Sequence, residues 1–262
     1  MDTKTTTTSA HAPAHSAAVD KLFKAGAHYG LSKARRHPSA RQFVFGAKNK
    51  VEIFDLDKTA AELEKAKKFV KTLAAEGKQL LFVGGKAEAR DSVKAAAAAS
   101  GMPYVAGRWI GGTITNFAQV RSRVDKMLSL QTAREKGELG KYTKKERLLI
   151  DREIDNLLFY FDGIVPMVQL PKALFVIDPK REHIAVTEAK KAGIPVVALA
   201  NTDCNLALVD IAIPANDAAL ASVRYFLNEI AAAYNEGKAL APKKPAVTAA
   251  PVVATMANSA AR

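Results

Sequence analysis

The fold of this chain is limited most strongly by short apolar runs, each followed by a turn and a helical pattern. Leu80–Val83 is such a run, closed by two glycines and followed by an alanine-rich helical pattern that ends at Gly101. Ala173–Ile177 and residues 195–199 repeat the arrangement later in the chain. Continuous apolar runs are typical of strands buried on both faces, and strands that alternate with helices form parallel sheets. We therefore predict a doubly wound α/β fold with a parallel sheet of about five strands.

Two long helical patterns interrupt this alternation between residues 116 and 164. Apolar residues recur at spacings of three and four in both patterns, and in the second the period is close to that of a coiled-coil seam. A polar loop with Gly137 and Gly140 joins them, which predicts an inserted antiparallel coiled-coil hairpin. The predicted organisation is a disordered arm over residues 1–19, an α/β domain over 20–115 and 165–237, the hairpin over 116–164, and a disordered basic tail over 238–262.

Helix boundaries are predicted from residues that favour the ends of helices. Asp178 followed by Pro179 predicts a helix start, and Gly237 predicts the end of the last helix. Three further starts are predicted by the spacing of a capping box, in which a short polar residue precedes a Glu or Gln by three positions: Thr59 with Glu62, Asn116 with Gln119, and Thr143 with Glu146.

The chain carries a formal net charge of +13, and much of the excess lies near its N-terminus. Residues 24–50 contain seven cations and no Asp or Glu, and Tyr29 and Phe43 place aromatic rings among them. This charge favours a polyanionic partner, and rings interleaved with cations are typical of nucleic-acid surfaces. A solvated charged face is the alternative. The seven cations are Lys24, Lys33, Arg35, Arg36, Arg41, Lys48 and Lys50.

The segment GRWIGGTITN, residues 107–116, joins an arginine and the chain's only tryptophan to two adjacent glycines. Gly111 and Gly112 permit positive φ or a close backbone approach, so Arg108 and Trp109 are predicted to lie on a tight turn. A planar cation and an aromatic face would suit an RNA backbone or an unstacked base. The alternative is a tryptophan buried at the base of the helical hairpin.

A catalytic or cofactor-binding role has weaker support. A strand that ends in Gly84 and Gly85 could open a phosphate site, but the spacing matches neither a P-loop nor a dinucleotide-binding motif, which favours a tight turn. Asp178, His183 and Asp203 could meet as metal ligands at the carboxyl edge of the sheet, although Asp178 is explained as a helix cap. We predict a non-enzymatic protein without cofactor or metal; the rival interpretation is an α/β enzyme that uses this edge.

Cellular location is predicted from segments that the sequence lacks. The single cysteine, Cys204, excludes an internal disulfide and a cysteine-rich zinc site, which fits a reducing compartment. The first twenty residues lack the apolar core of a signal peptide, and no run reaches the length of a transmembrane helix. We predict a cytoplasmic protein that does not bind membranes.

Several longer motifs resemble one known family, that of the bacterial small-subunit ribosomal protein S-two. The chain contains, in the family's order and over roughly residues 20–237, the motifs GAHYG, FVFGAKNKVEIFDLDKT, LLFVGGK, GRWIGGTITN, LPKALFVIDPKREHIAVTEAKKAGIPVVALANTD and IPANDAA. The resemblance implies a flavodoxin-like or Rossmann-like α/β domain with a coiled-coil insertion. It also implies a structural component of the small ribosomal subunit that binds small-subunit ribosomal RNA, helps to dock ribosomal protein S-one and forms no homo-oligomer.

The sequence departs from this family at three places. Leu31 stands where many members have a second histidine, residues 36–38 replace a Trp-Asn-Pro run, and residues 201–206 replace an acidic loop that contains proline. These differences speak against a histidine or metal role and leave the basic character unchanged. A hairpin-mediated interaction module outside the ribosome is a second rival. The predicted RNA-binding residues are Lys24, Lys33, Arg35, Arg36, Arg41, Lys48, Lys50, Arg108 and Trp109.

Overall fold

The computed structural model describes residues 17–240, so most of the predicted arm and tail lies outside the described residues. Residues 17–19, expected in the arm, belong to the first helix, and residues 238–240, expected in the tail, extend the last one. No helix within residues 17–240 has both the length and the apolar content needed to cross a membrane. The helices are α1 (Ala17–Lys24), α2 (Leu56–Ala75), α3 (Ala87–Ser100), α4 (Phe117–Glu135), α5 (Lys144–Phe161), α6 (His183–Lys191) and α7 (Leu220–Leu240).

The described strands form two sheets, a small antiparallel one near the N-terminus and a larger parallel one. The antiparallel sheet contains β1 (Tyr29–Ser32), β2 (Val44–Lys48) and β3 (Val51–Phe54). The parallel sheet contains β4 (Leu80–Val83), β5 (Tyr104–Val105), β6 (Ala173–Ile177), β7 (Val196–Ala200) and β8 (Ile211–Pro214).

The order of the parallel strands confirms the predicted fold class. The order is β5-β4-β6-β7-β8, which is the arrangement of a flavodoxin-like doubly wound sheet when numbering starts at β4. The strand order reverses at β4 and β6, which pair in parallel from Leu80 opposite Ala173 to Val83 opposite Val176. In such sheets the crevice outside the carboxyl ends of these two strands is the usual place for a ligand.

Side chains that alternate along the buried strands divide the core into two halves. Leu80 and Phe82 of β4 pack in the half that α2, α3 and α7 cover, together with Phe175 of β6. Leu81 and Val83 pack in the other half, beneath α4 and α6. Because each large apolar side chain contributes about 1.5–3 kcal/mol when it is fully buried, the sheet is a rigid support for the loops at its ends.

α2 begins three residues before its predicted cap. Its N-cap is Asp55, whose carboxylate accepts hydrogen bonds from the amides of Asp57 and Lys58. Thr59 lies inside the helix, where its buried hydroxyl donates to the Pro214 carbonyl at 2.7 Å. The spacing of a capping box was therefore misleading here, because Thr59 joins α2 to the end of β8 instead.

α6 begins at His183, so the predicted start at Pro179 was wrong. Asp178 has a φ of 59°, and its Oδ1 accepts from the amides of Lys180 and Arg181 at 3.2 Å each. The aspartate therefore stabilises a tight turn after β6 rather than a helix start. This turn keeps Arg181 at the carboxyl edge of the sheet before the helix begins.

α7 continues through Gly237 to Leu240, so Gly237 does not end the helix as predicted. A Cβ atom at this position would lie 2.3 Å from the carbonyl oxygen of Lys71 in α2. The missing side chain lets the two helices approach closely. Packing thus outweighs the roughly 1 kcal/mol that glycine costs inside a helix.

α4 and α5 occupy the segment of the predicted hairpin and pack against each other. Thr143 caps α5 and Glu146 completes the capping box, as predicted. Asn116 precedes α4, but its side chain accepts no capping hydrogen bond. Lys126 of α4 forms an ion pair with Glu153 of α5. The coiled-coil character of the pair and the limits of the domains remain predictions.

Candidate nucleic-acid interface

Part of the basic N-terminal stretch forms the small antiparallel sheet, although the sequence predicted a loop. β2 and β3 are joined by Asn49 and Lys50, whose φ angles are 50° and 65°. Two successive residues with positive φ form the tight hairpin turn that matches the twist of antiparallel strands. Lys48 and Lys50 are exposed at the tip of this hairpin. Their positions are therefore set by the backbone rather than by a mobile loop.

Three more of the predicted cations lie on two short 3-10 turns between β1 and β2. Lys33 and Arg35 belong to the first turn, and Arg41 belongs to the second. All three side chains are exposed, and none of them forms an ion pair within the described part of the chain. Lys24 is exposed at the end of α1. These cations are available to an external anion.

The small sheet is attached to the carboxyl edge of the parallel sheet through Thr202. The backbone carbonyl of Thr202 accepts a hydrogen bond from the His37 amide at 2.8 Å. The Thr202 hydroxyl accepts one from the Leu31 amide at 3.0 Å. Gly30 permits this approach, because a Cβ atom there would lie 2.7 Å from Cγ2 of Thr202. The cationic turns are thus held by the rigid part of the fold.

Arg36 differs from its neighbours because it is already paired. Its guanidinium lies 2.8 Å from the carboxylate of Glu52, a residue that is 1% exposed. Glu52 follows the acid-free stretch by two residues, so the partner lay just outside the predicted basic segment. Removing one partner of a buried ion pair costs about 3–5 kcal/mol. Arg36 therefore stabilises the small sheet and, unlike its exposed neighbours, has an ionic partner within the protein; its contact with RNA stays a prediction.

The structure corrects the prediction for Trp109. Its side chain is 4% exposed and belongs to the same buried cluster as Val120, Val124 and Phe161 of the helical hairpin. The ring consequently offers no face to an RNA base, and the alternative of a tryptophan buried at the base of the hairpin describes its position. The neighbouring Arg108 is exposed, as predicted.

Glu188 of α6 holds the segment around Trp109 in place. Its Oε1 accepts from the Gly112 amide at 2.7 Å and from the Trp109 indole at 3.3 Å. Its Oε2 accepts from the amides of Ile114 and Thr115 at 3.1 and 3.2 Å. Burial raises the pKa of Glu188, but these donors outweigh it, so the net pKa is lowered and the carboxylate stays ionised.

The inner part of the crevice at the switch point contains an internal ion cluster. Lys86 lies 2.8 Å from Asp178 and 2.7 Å from Asp217, and the Asn201 amide group donates to Asp217 at 2.8 Å. Burial raises the pKa of Asp217 despite the nearby ammonium, whereas hydrogen bonds and that ammonium outweigh burial at Asp178, whose pKa is lowered. Lys86, which follows Gly84 and Gly85, thus pairs with carboxylates of the protein itself, which agrees with a tight turn rather than a phosphate site.

The three candidate metal ligands are not assembled into a site. Asp178 pairs with Lys86, and Asp203 pairs with Lys180 at 2.8 Å. In the described part of the chain, no three His, Cys, Asp or Glu side chains are grouped closely enough to hold a metal ion. Burial raises the pKa of the Cys204 thiol, and Asp178 and Asp203 raise it further, so the thiol stays protonated and a poor nucleophile.

Arg108 belongs to a second basic surface, which is not apparent from the sequence. It lines a groove of about 330 Å³ together with Arg90 of α3, Phe159 of α5 and Arg181 after β6. We call this the arginine groove. Arg90 and Arg181 gave no signal in the sequence because each lies in a segment of mixed charge. Only the order of the strands brings them together with Arg108.

Comparison with known proteins identifies the family. The family model described as Ribosomal protein S2 matches residues 22–237. Three curated relatives are named small ribosomal subunit protein uS2. The one from Bdellovibrio bacteriovorus is 43% identical over 219 residues, which cover 84% of this chain and 70% of that protein. The one from Aliarcobacter butzleri is 40% identical over 233 residues, covering 89% and 88%, and that from Sulfurimonas denitrificans is 43% identical over 219 residues, covering 84% and 85%.

The match to the family model extends over most of the described structure, from α1 into α7. It includes the parallel sheet, the small antiparallel sheet and both helices of the predicted hairpin. The resemblance of the motifs and the strand order point to the same assignment. The chain belongs to the ribosomal protein S2 family, whose members are structural components of the small ribosomal subunit and not enzymes.

Proposed function

We propose that this chain, a cytoplasmic constituent of the small ribosomal subunit, binds the ribosomal RNA of that subunit as a single copy. The contact would be made by the N-terminal cationic surface. The observation that carries this proposal is the set of six exposed cations on α1, on the small sheet and on the two 3-10 turns between β1 and β2, none of which forms an ion pair within residues 17–240. The surface is defined by Lys24, Lys33, Arg35, Arg41, Lys48 and Lys50.

The mode of binding follows from the chemistry of these side chains. Lysine and arginine at the surface neutralise phosphates and release counterions, so affinity falls steeply with salt. Such contacts position a protein on RNA without reading its sequence. The tight β2–β3 turn and the two 3-10 turns limit the freedom that the cations lose on binding. The surface would therefore recognise the shape of folded RNA.

The triple variant Lys33→Ala, Arg35→Ala, Arg41→Ala is expected to bind small-subunit ribosomal RNA at least tenfold more weakly. If each residue neutralises one phosphate, the slope of log affinity against log salt becomes less steep by about 2–3. Filter binding over a salt series measures both quantities.

The matched control removes three exposed cations on α6 and α7 that form no ion pair within the described residues 17–240: Lys190→Ala, Lys191→Ala, Arg224→Ala. This control should bind ribosomal RNA like the parent chain. An unchanged salt slope in the N-terminal triple variant would contradict the proposal. So would an equal loss in both variants, because the effect would then be one of net charge alone.

We also propose that an apolar groove beside this surface helps to dock ribosomal protein S-one. Phe45 of β2 is 80% exposed and Phe23 of α1 is 60% exposed, and both line a groove of about 390 Å³ with Leu56. Large exposed apolar side chains that share a groove are typical of protein-binding sites. Asp55 and Asp57 lie at the same groove, which favours a partner segment with apolar and basic side chains.

Phe45→Thr is expected to lower the amount of S-one on purified small subunits by at least half. Threonine keeps the preference for a strand, and the phenylalanine ring is mostly exposed, so the fold should be unaffected. Quantitative gel analysis of subunits from a strain that carries only the variant measures the occupancy of S-one. The matched control is Leu208→Thr, an exposed apolar residue near β8. Equal S-one occupancy in the Phe45 variant and the parent would contradict this assignment.

A further inference from the structure

We propose that the arginine groove binds one unpaired nucleotide of RNA, with the phosphate on the three guanidinium groups and the base against Phe159. This inference rests on the proposed binding of ribosomal RNA and names a second contact for it. The site is separate from the N-terminal cationic surface. Its residues come from four parts of the fold: Arg90 from α3, Arg108 from the loop after β5, Phe159 from α5 and Arg181 from the turn after β6.

The position of the groove in the fold favours a ligand site. Gly85 follows β4, Arg108 follows β5 and Arg181 follows β6, so the groove opens at the carboxyl ends of three adjacent strands. The reversal of strand order lies here, and doubly wound sheets bind their ligands in this place because the loops diverge. A ligand site is therefore expected on geometric grounds, independently of charge.

The inner part of this place is already filled by the protein. A Cβ atom on Gly85 would lie 2.4 Å from a carboxylate oxygen of Glu182, so the Glu182 side chain occupies the space above the glycine turn. Lys86, which follows, is held by Asp178 and Asp217. A phosphate cannot enter where a doubly wound nucleotide-binding protein would hold it. An anionic ligand would instead lie on the outer rim, where the arginines are.

The positive charge of the rim favours an anionic ligand. Arg90, Arg108 and Arg181 are all exposed, and within residues 17–240 none of them forms an ion pair. Nε of Arg90 donates to the Ala106 carbonyl at 3.1 Å, which orients the guanidinium and leaves its terminal nitrogens as donors. The buried Glu182 carboxylate also lines the groove and attracts Arg181, but one carboxylate cannot balance three guanidinium groups, which still repel one another unless a further anion lies between them. Guanidinium donors match phosphate oxygens better than ammonium groups do.

An exposed aromatic ring in the groove favours a nucleotide base. Phe159 is 61% exposed although α5 has a buried side on which a phenylalanine could pack, as Phe161 does. Its ring meets the ring of Tyr160 edge-on, with centroids 5.0 Å apart, so one neighbour restricts its motion. A ring beside cations is the usual platform for an unstacked base. Duplex RNA, whose bases are stacked, would leave this ring unused.

The size of the groove fits one nucleotide rather than a larger ligand. Its volume of about 330 Å³ lies at the small end of the range for ligand sites. An acidic peptide is the rival ligand, since carboxylates would also satisfy the arginines. The peptide would need no aromatic ring, however, so the contribution of Phe159 distinguishes the two.

The test uses a natural reporter, because Trp109 lines the groove and is the only tryptophan. The full chain is titrated with a short single-stranded oligouridylate while tryptophan fluorescence is recorded over a salt series. We expect a saturable change in emission. The double variant Arg90→Ala, Arg181→Ala should weaken binding at least tenfold and make the salt slope less steep by up to about 0.7, the value for the one phosphate of a single strand that the groove holds.

Variants of Phe159 test the stacking step. Phe159→Leu should weaken binding about fivefold or more, because stacking on a ring is lost while an apolar residue remains, and Phe159→Tyr should bind like the parent. The control for charge is Lys190→Ala, Arg224→Ala, which removes two exposed cations elsewhere and should leave the titration unchanged. Equal urea midpoints for all variants exclude loss of folding as the cause.

Several outcomes would overturn the proposal. It fails if the Arg90 and Arg181 double variant binds like the parent, if Phe159→Leu has no effect, or if a polyglutamate peptide binds as tightly as the oligonucleotide. It also fails if uridine monophosphate alone binds as tightly as the oligonucleotide, since the site would then hold a small nucleotide rather than RNA. If the N-terminal triple variant alone loses ribosomal RNA binding, the proposed function stands without this second contact; if the parent binds no RNA, both fall.

Discussion

Replacing Glu188 with alanine is expected to lower the free energy of unfolding by about 3–5 kcal/mol. The carboxylate accepts hydrogen bonds from three backbone amides and one indole, and a buried donor left without a partner costs about 1–3 kcal/mol. Water that enters the cavity left by the side chain will accept some of these hydrogen bonds. The expected loss of stability is therefore smaller than the summed cost of four unsatisfied donors. Urea denaturation of the variant and the parent chain measures the loss in free energy of unfolding.

The fluorescence of Trp109 reports on the same site. Trp109 donates to Glu188, so its emission should shift to longer wavelength in Glu188→Ala even before unfolding. Glu188→Gln should lose about half as much stability, because one acceptor oxygen remains while the new amino group faces donors. Glu236→Ala is the control, since its pair with Lys71 is exposed and worth less than about 1 kcal/mol. A loss below that value in Glu188→Ala would contradict the role assigned to this residue.

The lowered pKa of Glu188 gives the same prediction a pH dependence. A carboxyl group whose folded pKa lies below its unfolded value stabilises the fold above the unfolded pKa, here near 4.5. That stabilisation disappears as the pH falls through the lower folded pKa. The stability of the parent chain should therefore fall in this acid range more steeply than that of Glu188→Gln, which cannot titrate at this position.

Replacing Lys86 with methionine is the second change with a large expected effect, a loss of about 3–5 kcal/mol. Methionine keeps most of the volume but leaves the carboxylates of Asp178 and Asp217 without their shared cation. Removing one partner of a buried ion pair is costly because the remaining charge stays desolvated. Adding Asp217→Asn to the lysine variant should restore part of the stability, since one of the two buried charges is then removed.

A matched control for this variant lies nearby. Lys180→Met breaks the pair with Asp203, but the lysine side chain is 59% exposed, so a loss below about 1 kcal/mol is expected. Urea denaturation of Lys86→Met, of Lys86→Met with Asp217→Asn and of Lys180→Met measures the three losses of stability. If Lys86→Met and Lys180→Met lost the same stability, the ion cluster at the switch point would not stabilise the fold as the structure indicates.

The basic N-terminal segment could be predicted from its charge but not from its shape. Gly26, Gly30 and Pro38 indicated a loop, yet β1 and β2 form there by pairing with β3. Strand pairing of this kind depends on long-range contacts such as that between Leu31 and Thr202. The partners in those contacts lie far from this segment in the sequence, so the propensities of its own residues favour a loop.

Trp109 and Arg108 show the same limit at the level of single residues. Their neighbourhood in sequence suggested one exposed pair, whereas the structure buries the tryptophan and exposes the arginine. The buried indole of Trp109 donates to Glu188, which lies 79 positions away along the chain. No spacing rule connects residues so far apart. The partners of Arg108 in the arginine groove, from α3 and the turn after β6, were hidden for the same reason.

The amino-acid sequence by itself determined the fold class, the parallel strands, the family and the excess of positive charge near the N-terminus. These follow from local patterns, since buried strands need continuous apolar runs and the charge of a segment is the sum over its own residues. Only the tertiary structure decided which cations are available, which carboxylates are used internally, and which residues share a groove. Those properties depend on burial and on distances between residues remote in sequence, because the energy of a charge or a ring is set by its surroundings.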